Sequence, residues 1–184
     1  RVVSTLPNTP EAVVALLATT AIGAVWSACS PDFGARSILD RFQQIEPRLL
    51  FAVDGYRFGG KDFDRSGELA QLVAGLPTLQ HLVFLPDLDP AAPRPIPGAR
   101  LWSEVMAEQP VRHEDFRYED VEFSHPLWIL YSSGTTGLPK AITHSHGGMT
   151  LETHKVIAFH ANQTPESCLF FYTTTGWMMF NFMV

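Results

Sequence analysis

Residues 131–148 read "YSSGTTGLPKAITHSHGG", which places four hydroxyl side chains (Ser132, Ser133, Thr135, Thr136), two glycines and a proline between Tyr131 and Lys140. Ahead of it, "HPLWIL" reads as a strong buried strand. Behind it, "AITHS" alternates and is β-branched, which predicts a second strand rather than a helix. The loop therefore leaves the end of a strand, where open α/β sheets bind their ligands. Glycines let backbone N–H groups converge on an anion. Hydroxyls can rotate to follow a phosphate, and a lysine adds a compact positive charge. Together these parts suit a polyphosphate. The P-loop template fails, because Pro139 stands where its second glycine belongs and Ala141 where its Mg²⁺-binding hydroxyl belongs. Phosphate would be held by side-chain hydroxyls in a strand-to-strand loop. Ser, Thr, Gly and Pro also make ordinary surface loops, but the two flanking strands and the Pro-Lys pair weigh against that plainer reading.

Outward from the loop, strand and helix patterns alternate. "RVVSTLPN" reads as a strand and turn. "TPEAVVALLATTAIGAV" follows as a helix, with Thr9 as N-cap, Pro10 in the first turn and Gly23 at its end. "AVWSACS" is a second strand. "GARSILDRFQQIEP" is an amphipathic helix carrying Ile38, Phe42 and Ile45 on one face and stopped by Pro47. "RLLFAVD" is a third strand, "KDFDRSGELAQLVAGLP" a helix ending at Gly75, and "LQHLVFLP" a further strand. The four prolines of "DLDPAAPRPIPGAR" mark a surface connector. This order predicts an α/β fold with a largely parallel sheet and packed helices.

The 184 residues are 46% hydrophobic and 17% charged, enough apolar material for a core. A net charge of −6 argues against a general nucleic-acid binder, which needs a basic face. Cys29 and Cys168 both sit in apolar runs, so two buried free thiols are expected, as in a reducing cytosol. The opening "RVVSTLPN" lacks the order of a secretory leader, and a cytoplasmic location is expected. The closing "CLFFYTTTGWMMFNFMV" is apolar but interrupted, and it falls short of the ~20 apolar residues of a membrane span. The chain stops inside that segment and reads as an internal piece of a longer protein.

"YSSGTTGLPKAITHSHGG" resembles the phosphate-binding signature of the adenylate-forming superfamily, which comprises acyl-CoA synthetases, luciferases and peptide-synthetase adenylation domains. That signature is an aromatic followed by Ser/Thr-Ser-Gly-Thr/Ser-Thr-Gly-x-Pro-Lys and a short strand to a histidine. "LPNTPEAVVALLATTAIGAVWSACSPDFG" resembles the early part of acetate-type CoA ligases, and "FFYTTTGWMMFNFMV" the segment that begins their acyl pocket. The Gly-Trp-Met-Met form and "WSACSPDFGARSILDRFQQIEPRLLF" are most similar to the acetoacetate-specific branch. The likeness covers essentially the whole chain, as part of the large N-terminal domain, with the C-terminal domain absent.

The resemblance implies an AMP-forming acid–thiol ligase that joins a small carboxylic acid, with acetoacetate the expected one, to CoA with the conversion of ATP to AMP and pyrophosphate. By it, Ser132, Ser133, Gly134, Thr135, Thr136, Gly137 and Lys140 hold the outer phosphates, with Thr135 and Thr136 the first choices for direct contacts. Gly176, Trp177, Met178 and Met179 form the acyl and CoA pocket wall, although core packing is an ordinary role for methionines. Arg57 and Lys61 fall near the CoA nucleotide, in a loose pattern that equally suits a solvated surface. Pro31-Asp32 departs from the Gly-Gly of acetyl enzymes, which puts CoA contacts at that turn in doubt. His144, His146 and His154 invite a metal reading, since His144 and His146 would share a strand face. Spacing supplies no third ligand and the family uses none, so no resident metal is expected and Mg²⁺ should arrive with ATP. The family's ribose-binding acid, Mg²⁺-binding glutamate, hinge and catalytic lysine lie downstream. No catalytic residue is thus assigned within residues 1–184, and this stretch alone should not complete adenylation. The rival readings are another short-chain acyl-CoA synthetase (acetyl or propionyl) and a nucleotide-binding module without catalysis.

Overall fold

A computed structural model of the chain describes residues 1–108, 111–112, 114–133 and 137–184. Its elements are β1 (Val2–Ser4), α1 (Pro10–Ala21), β2 (Trp26–Ala28), α2 (Ala35–Phe42), β3 (Leu49–Val53), β4 (Gly55–Phe58), β5 (Lys61–Asp64), α3 (Ser66–Gly75), β6 (His81–Leu85), β7 (Arg100–Leu101), α4 (Trp102–Ala107), β8 (Pro126–Ser132), β9 (Lys140–Ser145), α5 (His146–Lys155) and α6 (Met178–Met183). The main sheet has seven strands in the order β7-β6-β3-β1-β2-β8-β9. Every neighbouring pair in it is parallel except β8 and β9. The expected α/β fold with a largely parallel sheet is therefore the fold observed.

Helices cover both faces. On one, Ile38 and Phe42 of α2 and Leu69 and Leu72 of α3 meet Leu50 and Leu82 of the sheet. On the other, Ala12, Ala15 and Leu16 of α1 pack with Trp26, Trp128, Met149 and Phe180. Burying a side chain such as Phe42 or Leu72 removes enough apolar surface from water to be worth about 1.5–3 kcal/mol. Because α1 lies on the opposite face from α2, the connections leaving β1 and β2 diverge. That opens a crevice at the carboxyl ends of the strands.

Local signals explain most boundaries. Pro10 opens α1 as expected, although the Thr9 side chain makes no capping hydrogen bond. Gly23, at φ 69°, turns the chain after α1. A short 3₁₀ turn, Gln43–Ile45, extends α2, and Glu46 in the left-handed region (φ 47°) leads into Pro47.

Three expectations need correction. The helix expected from Lys61 begins at Ser66, because "GYRFGGKDFD" folds as the β4–β5 hairpin instead. Gly59 and Gly60, at φ 57° and 75°, supply the two left-handed residues of its turn. Cys29 is buried, but Cys168 is exposed, so the second cysteine is not a core residue. Burial pushes the Cys29 thiol up to about 12, with Arg41 nearby opposing the shift, which leaves it protonated and inert. His146 starts α5 rather than continuing β9, because Ser145 caps that helix by accepting from the Gly148 N–H. His144 and His146 therefore do not share a strand face.

Asp54, just past β3 and 4% exposed, fixes the start of the proline-rich connector. Its carboxylate accepts from the backbone N–H groups of Asp87 (2.7 Å), Leu88 (3.0 Å) and Asp89 (2.8 Å). Asp54→Ala would leave those donors without their charged acceptor. We expect a loss of about 2–4 kcal/mol of stability, with Asp54→Asn intermediate, read by urea unfolding of the complete gene product. An unchanged midpoint in the alanine variant would remove Asp54 as the anchor of this connector.

Candidate functional site

Two features meet the carboxyl edge of the sheet. The first is the loop closing the β8–β9 hairpin. Register pairs run from Trp128 opposite His144 to Ser132 opposite Lys140, so the first hydroxyl and the lysine stand across from each other at the loop's mouth. Ser132, Ser133, Gly137 and Lys140 are all exposed. Among the described residues Lys140 has no acidic partner within ion-pairing distance, so its charge stays available to an incoming anion. Gly134, Thr135 and Thr136, named above as phosphate contacts, lie outside the described residues.

The base of this loop is firmly held. Ser27 on β2 donates its hydroxyl to the Ile129 carbonyl at 2.7 Å, inside the sheet. The Tyr131 hydroxyl donates to the Arg41 carbonyl of α2 at 2.9 Å. The Arg41 guanidinium lies over both the Phe33 ring (5.0 Å) and the Tyr131 ring (5.9 Å).

The second feature is a cavity of about 400 Å³ beyond the ends of β1 and β2. Asn8, Ser30, Asp32, Arg57, Asp87 and Tyr172 contribute to its lining. Residues 172–176 cross above it and are tied down at three places. The Asn8 amide donates to the Thr173 carbonyl at 2.6 Å, and the Thr175 hydroxyl to the Leu6 carbonyl at 2.8 Å. At the third, Gly176 lies against the Ser30 backbone, where an added Cβ would stand 2.7 Å from its nitrogen.

The residues first singled out divide unevenly across this geometry. Arg57 lies in the cavity wall, whereas Lys61 does not line it. Arg57 donates to both Asp62 carboxylate oxygens across the hairpin, at 2.5 and 3.0 Å. That hydrogen-bonded pairing draws the Asp62 carboxyl below its ordinary range. The nearby Asp87 carboxyl is raised, first by burial and then by the Asp54 charge. Trp177 is 64% and Met178 48% exposed at the start of α6, and Met179 is half-buried. None of the three lines the cavity. Gly176, just ahead of them, packs its backbone against that of Ser30.

Among the histidines, His125 shares a hydrogen bond with the Gly23 carbonyl at 2.8 Å, and its ring centroid lies 5.7 Å from that of His146. His146 is pushed down, first by burial and then by His125. Among the described residues no group of three or more His, Cys, Asp or Glu side chains could hold a metal ion, and no helix is long and apolar enough to cross a membrane.

Tyr56, Asp87, Asn8 and Tyr172 were not anticipated as cavity residues. A Gly-Gly pair flanked by alternating "YRF" and "KDFD" is a hairpin signal, and it would have placed Tyr56 and Arg57 on one ribbon. Nothing local in the sequence brings Tyr172 to Asn8.

Residues 1–184 match the model of a family described as AMP-binding enzyme. The chain belongs to that family. More particularly, it is 43% identical over 188 residues to the acetoacetyl-CoA synthetase of Rattus norvegicus, covering 100% of this chain and 28% of the relative. It is 41% identical over 185 residues to the acetoacetyl-coenzyme A synthetase of Rhizobium meliloti (strain 1021), with the same coverage. A solved structure of the Streptomyces lividans acetoacetyl-CoA synthetase superposes with a TM-score of 0.90 at 53% identity, over 99% of this chain and 27% of that one. The chain thus spans little more than a quarter of the length of these relatives.

Gly176→Ala should lift residues 172–176 off the turn after β2, because the obstructing atoms are backbone and cannot swing aside. We expect a lower melting temperature together with faster protease cleavage between Leu169 and Thr175. Wild-type melting and cleavage would show that the turn yields at no cost.

Proposed function

We propose that the complete gene product is an ATP-dependent acid–CoA ligase that converts acetoacetate, ATP and CoA to acetoacetyl-CoA, AMP and pyrophosphate. The observation that carries this reading is the exposed hydroxyl-and-lysine loop at the carboxyl end of β8, within a chain of this family. The names of its relatives support acetoacetate as the acid.

In the first step a carboxylate oxygen of the acid bonds to the α-phosphorus of ATP, and the bond from that phosphorus to the bridging oxygen breaks, releasing pyrophosphate. In the second the CoA sulfur bonds to the acyl carbon, the thiol proton departs and AMP leaves with its oxygen. A carboxylate is a poor acyl donor because oxide is its leaving group; the mixed anhydride replaces oxide with AMP. The loop's part is electrostatic. Negative charge builds on the departing pyrophosphate, and Ser132, Ser133, Gly134, Thr135, Thr136 and Gly137 would supply donors while Lys140 supplies the countercharge. Mg²⁺ would enter on the ATP phosphates and shield their charge; no cluster for it exists among the described residues.

The CoA nucleotide would lie over the cavity at the ends of β1 and β2, with Arg57 toward its phosphates. Trp177, Met178 and Met179 would face the acyl group once the remainder of the domain surrounds them. Residues 1–184 would then be part of the N-terminal adenylation domain of a cytoplasmic enzyme.

Acid-dependent exchange of pyrophosphate into ATP by the complete gene product tests the reaction. Acetoacetate should be preferred over acetate and octanoate by kcat/KM. Equal rates would dismiss the substrate while keeping the ligase, and absence of exchange with all three acids would dismiss the ligase.

The cavity geometry separates the two cations. Arg57→Ala should raise KM for CoA about five- to tenfold, the worth of one charge-assisted contact, without affecting pyrophosphate exchange. Lys61→Ala should leave both unchanged. Equal effects of the two substitutions on CoA would place the nucleotide at the hairpin tip instead.

A further inference from the structure

The phosphate loop is held at both ends by one helix. At its entrance the Tyr131 hydroxyl donates to the Arg41 carbonyl. At its exit the Gln44 side-chain nitrogen donates to the Pro139 carbonyl at 2.8 Å and to the Asp40 carbonyl at 2.7 Å. A primary amide carries two N–H donors, and here each has its own acceptor. Asp40 and Arg41 are neighbours on α2, whose position is set by the buried Ile38 and Phe42. Pro139 immediately precedes Lys140, so whatever fixes the Pro139 peptide fixes where the lysine stem begins.

We infer that Gln44 is a positioning residue for Lys140, its amide bridging the Asp40 and Pro139 carbonyls to hold the exit of the phosphate loop at a fixed height above α2. This rests on the reading of that loop as the ATP phosphate site. Gln44 is itself exposed, so replacing it opens no cavity in the core. Its effect should therefore be local to the loop. Only a donor serves at this place, because both partners are carbonyl oxygens. Alanine removes the tie, glutamate sets a carboxylate against two acceptors, and lysine restores a donor.

The test uses the complete gene product in acid-dependent ATP–pyrophosphate exchange, with Gln44→Ala, Gln44→Glu and Gln44→Lys beside the wild type. Alanine should raise KM for ATP about five- to tenfold, the worth of one lost hydrogen bond in the nucleotide complex. Glutamate should raise it further and lysine should recover most of the loss. KM for the acid and the melting temperature should hold steady throughout. That pattern follows donor chemistry, which a general packing defect would not. With an active wild type, an unchanged ATP KM in both the alanine and glutamate variants overturns the positioning role. So does a rise in which ATP KM, acid KM and melting temperature move together. A wild type inactive with every acid fails earlier, at the ligase reading, and takes this inference with it.

Discussion

The seam between β2 and β8 is the contact on which the rest depends. It is narrow: one register pair, Trp26 with Trp128, joins the strands, yet across it the parallel sheet meets the hairpin carrying the hydroxyl-and-lysine loop. Side chains reinforce what few backbone bonds can supply. Ser27 spends its hydroxyl on the Ile129 carbonyl, and the two tryptophans lie in the same buried cluster as Leu16 and Phe180. A buried hydroxyl is costly unless it is paired, so this bond fixes which part of β8 faces β2. The register in turn sets how far the loop projects past the sheet.

The crevice is built on a different economy. Its floor is the divergent exit of β1 and β2, a property of the sheet. Its upper wall, residues 172–176, is remote in sequence and held by an amide, a hydroxyl and a glycine contact, each specific in direction and small in buried area. The β4–β5 ribbon adds a third side and stiffens itself by stacking Tyr56 on Phe63 at 5.1 Å. A wall assembled from separate polar ties can move without disturbing the apolar layers below.

Much of this was legible in the residues. Apolar runs such as "RLLFAVD" and "HPLWIL" are long and bounded, and their alternation with helical patterns predicts the parallel sheet. The strand-to-strand placement of the loop was readable because an apolar run precedes it and a β-branched, alternating segment follows it. What escaped notice depends on long-range placement or on competing local patterns. "KDFD" continues into a helix by composition, but the Gly-Gly turn and cross-strand pairs such as Tyr56 opposite Phe63 decide for a ribbon. The Ser145 cap overrode the β pattern at His146. Cys168 sits among aromatics that are themselves exposed, Phe170 at 85% and Phe171 at 50%, so apolar neighbours in sequence did not mean a buried thiol. Tyr172 reaches Asn8 only through the fold.

The Tyr131 phenol has one more consequence. Burial, aided by the neighbouring Cys29, raises its pKa well above the ordinary tyrosine range. It therefore keeps its proton across any acidity a cell experiences, and the bond to Arg41 has the same polarity throughout. Had an imidazole or carboxylate filled that place, the grip on the loop's entrance would follow the acidity of its surroundings. A half-buried phenol between sheet and helix keeps the hold on the loop's entrance chemically constant, and leaves any response to acidity to the groups that meet solvent.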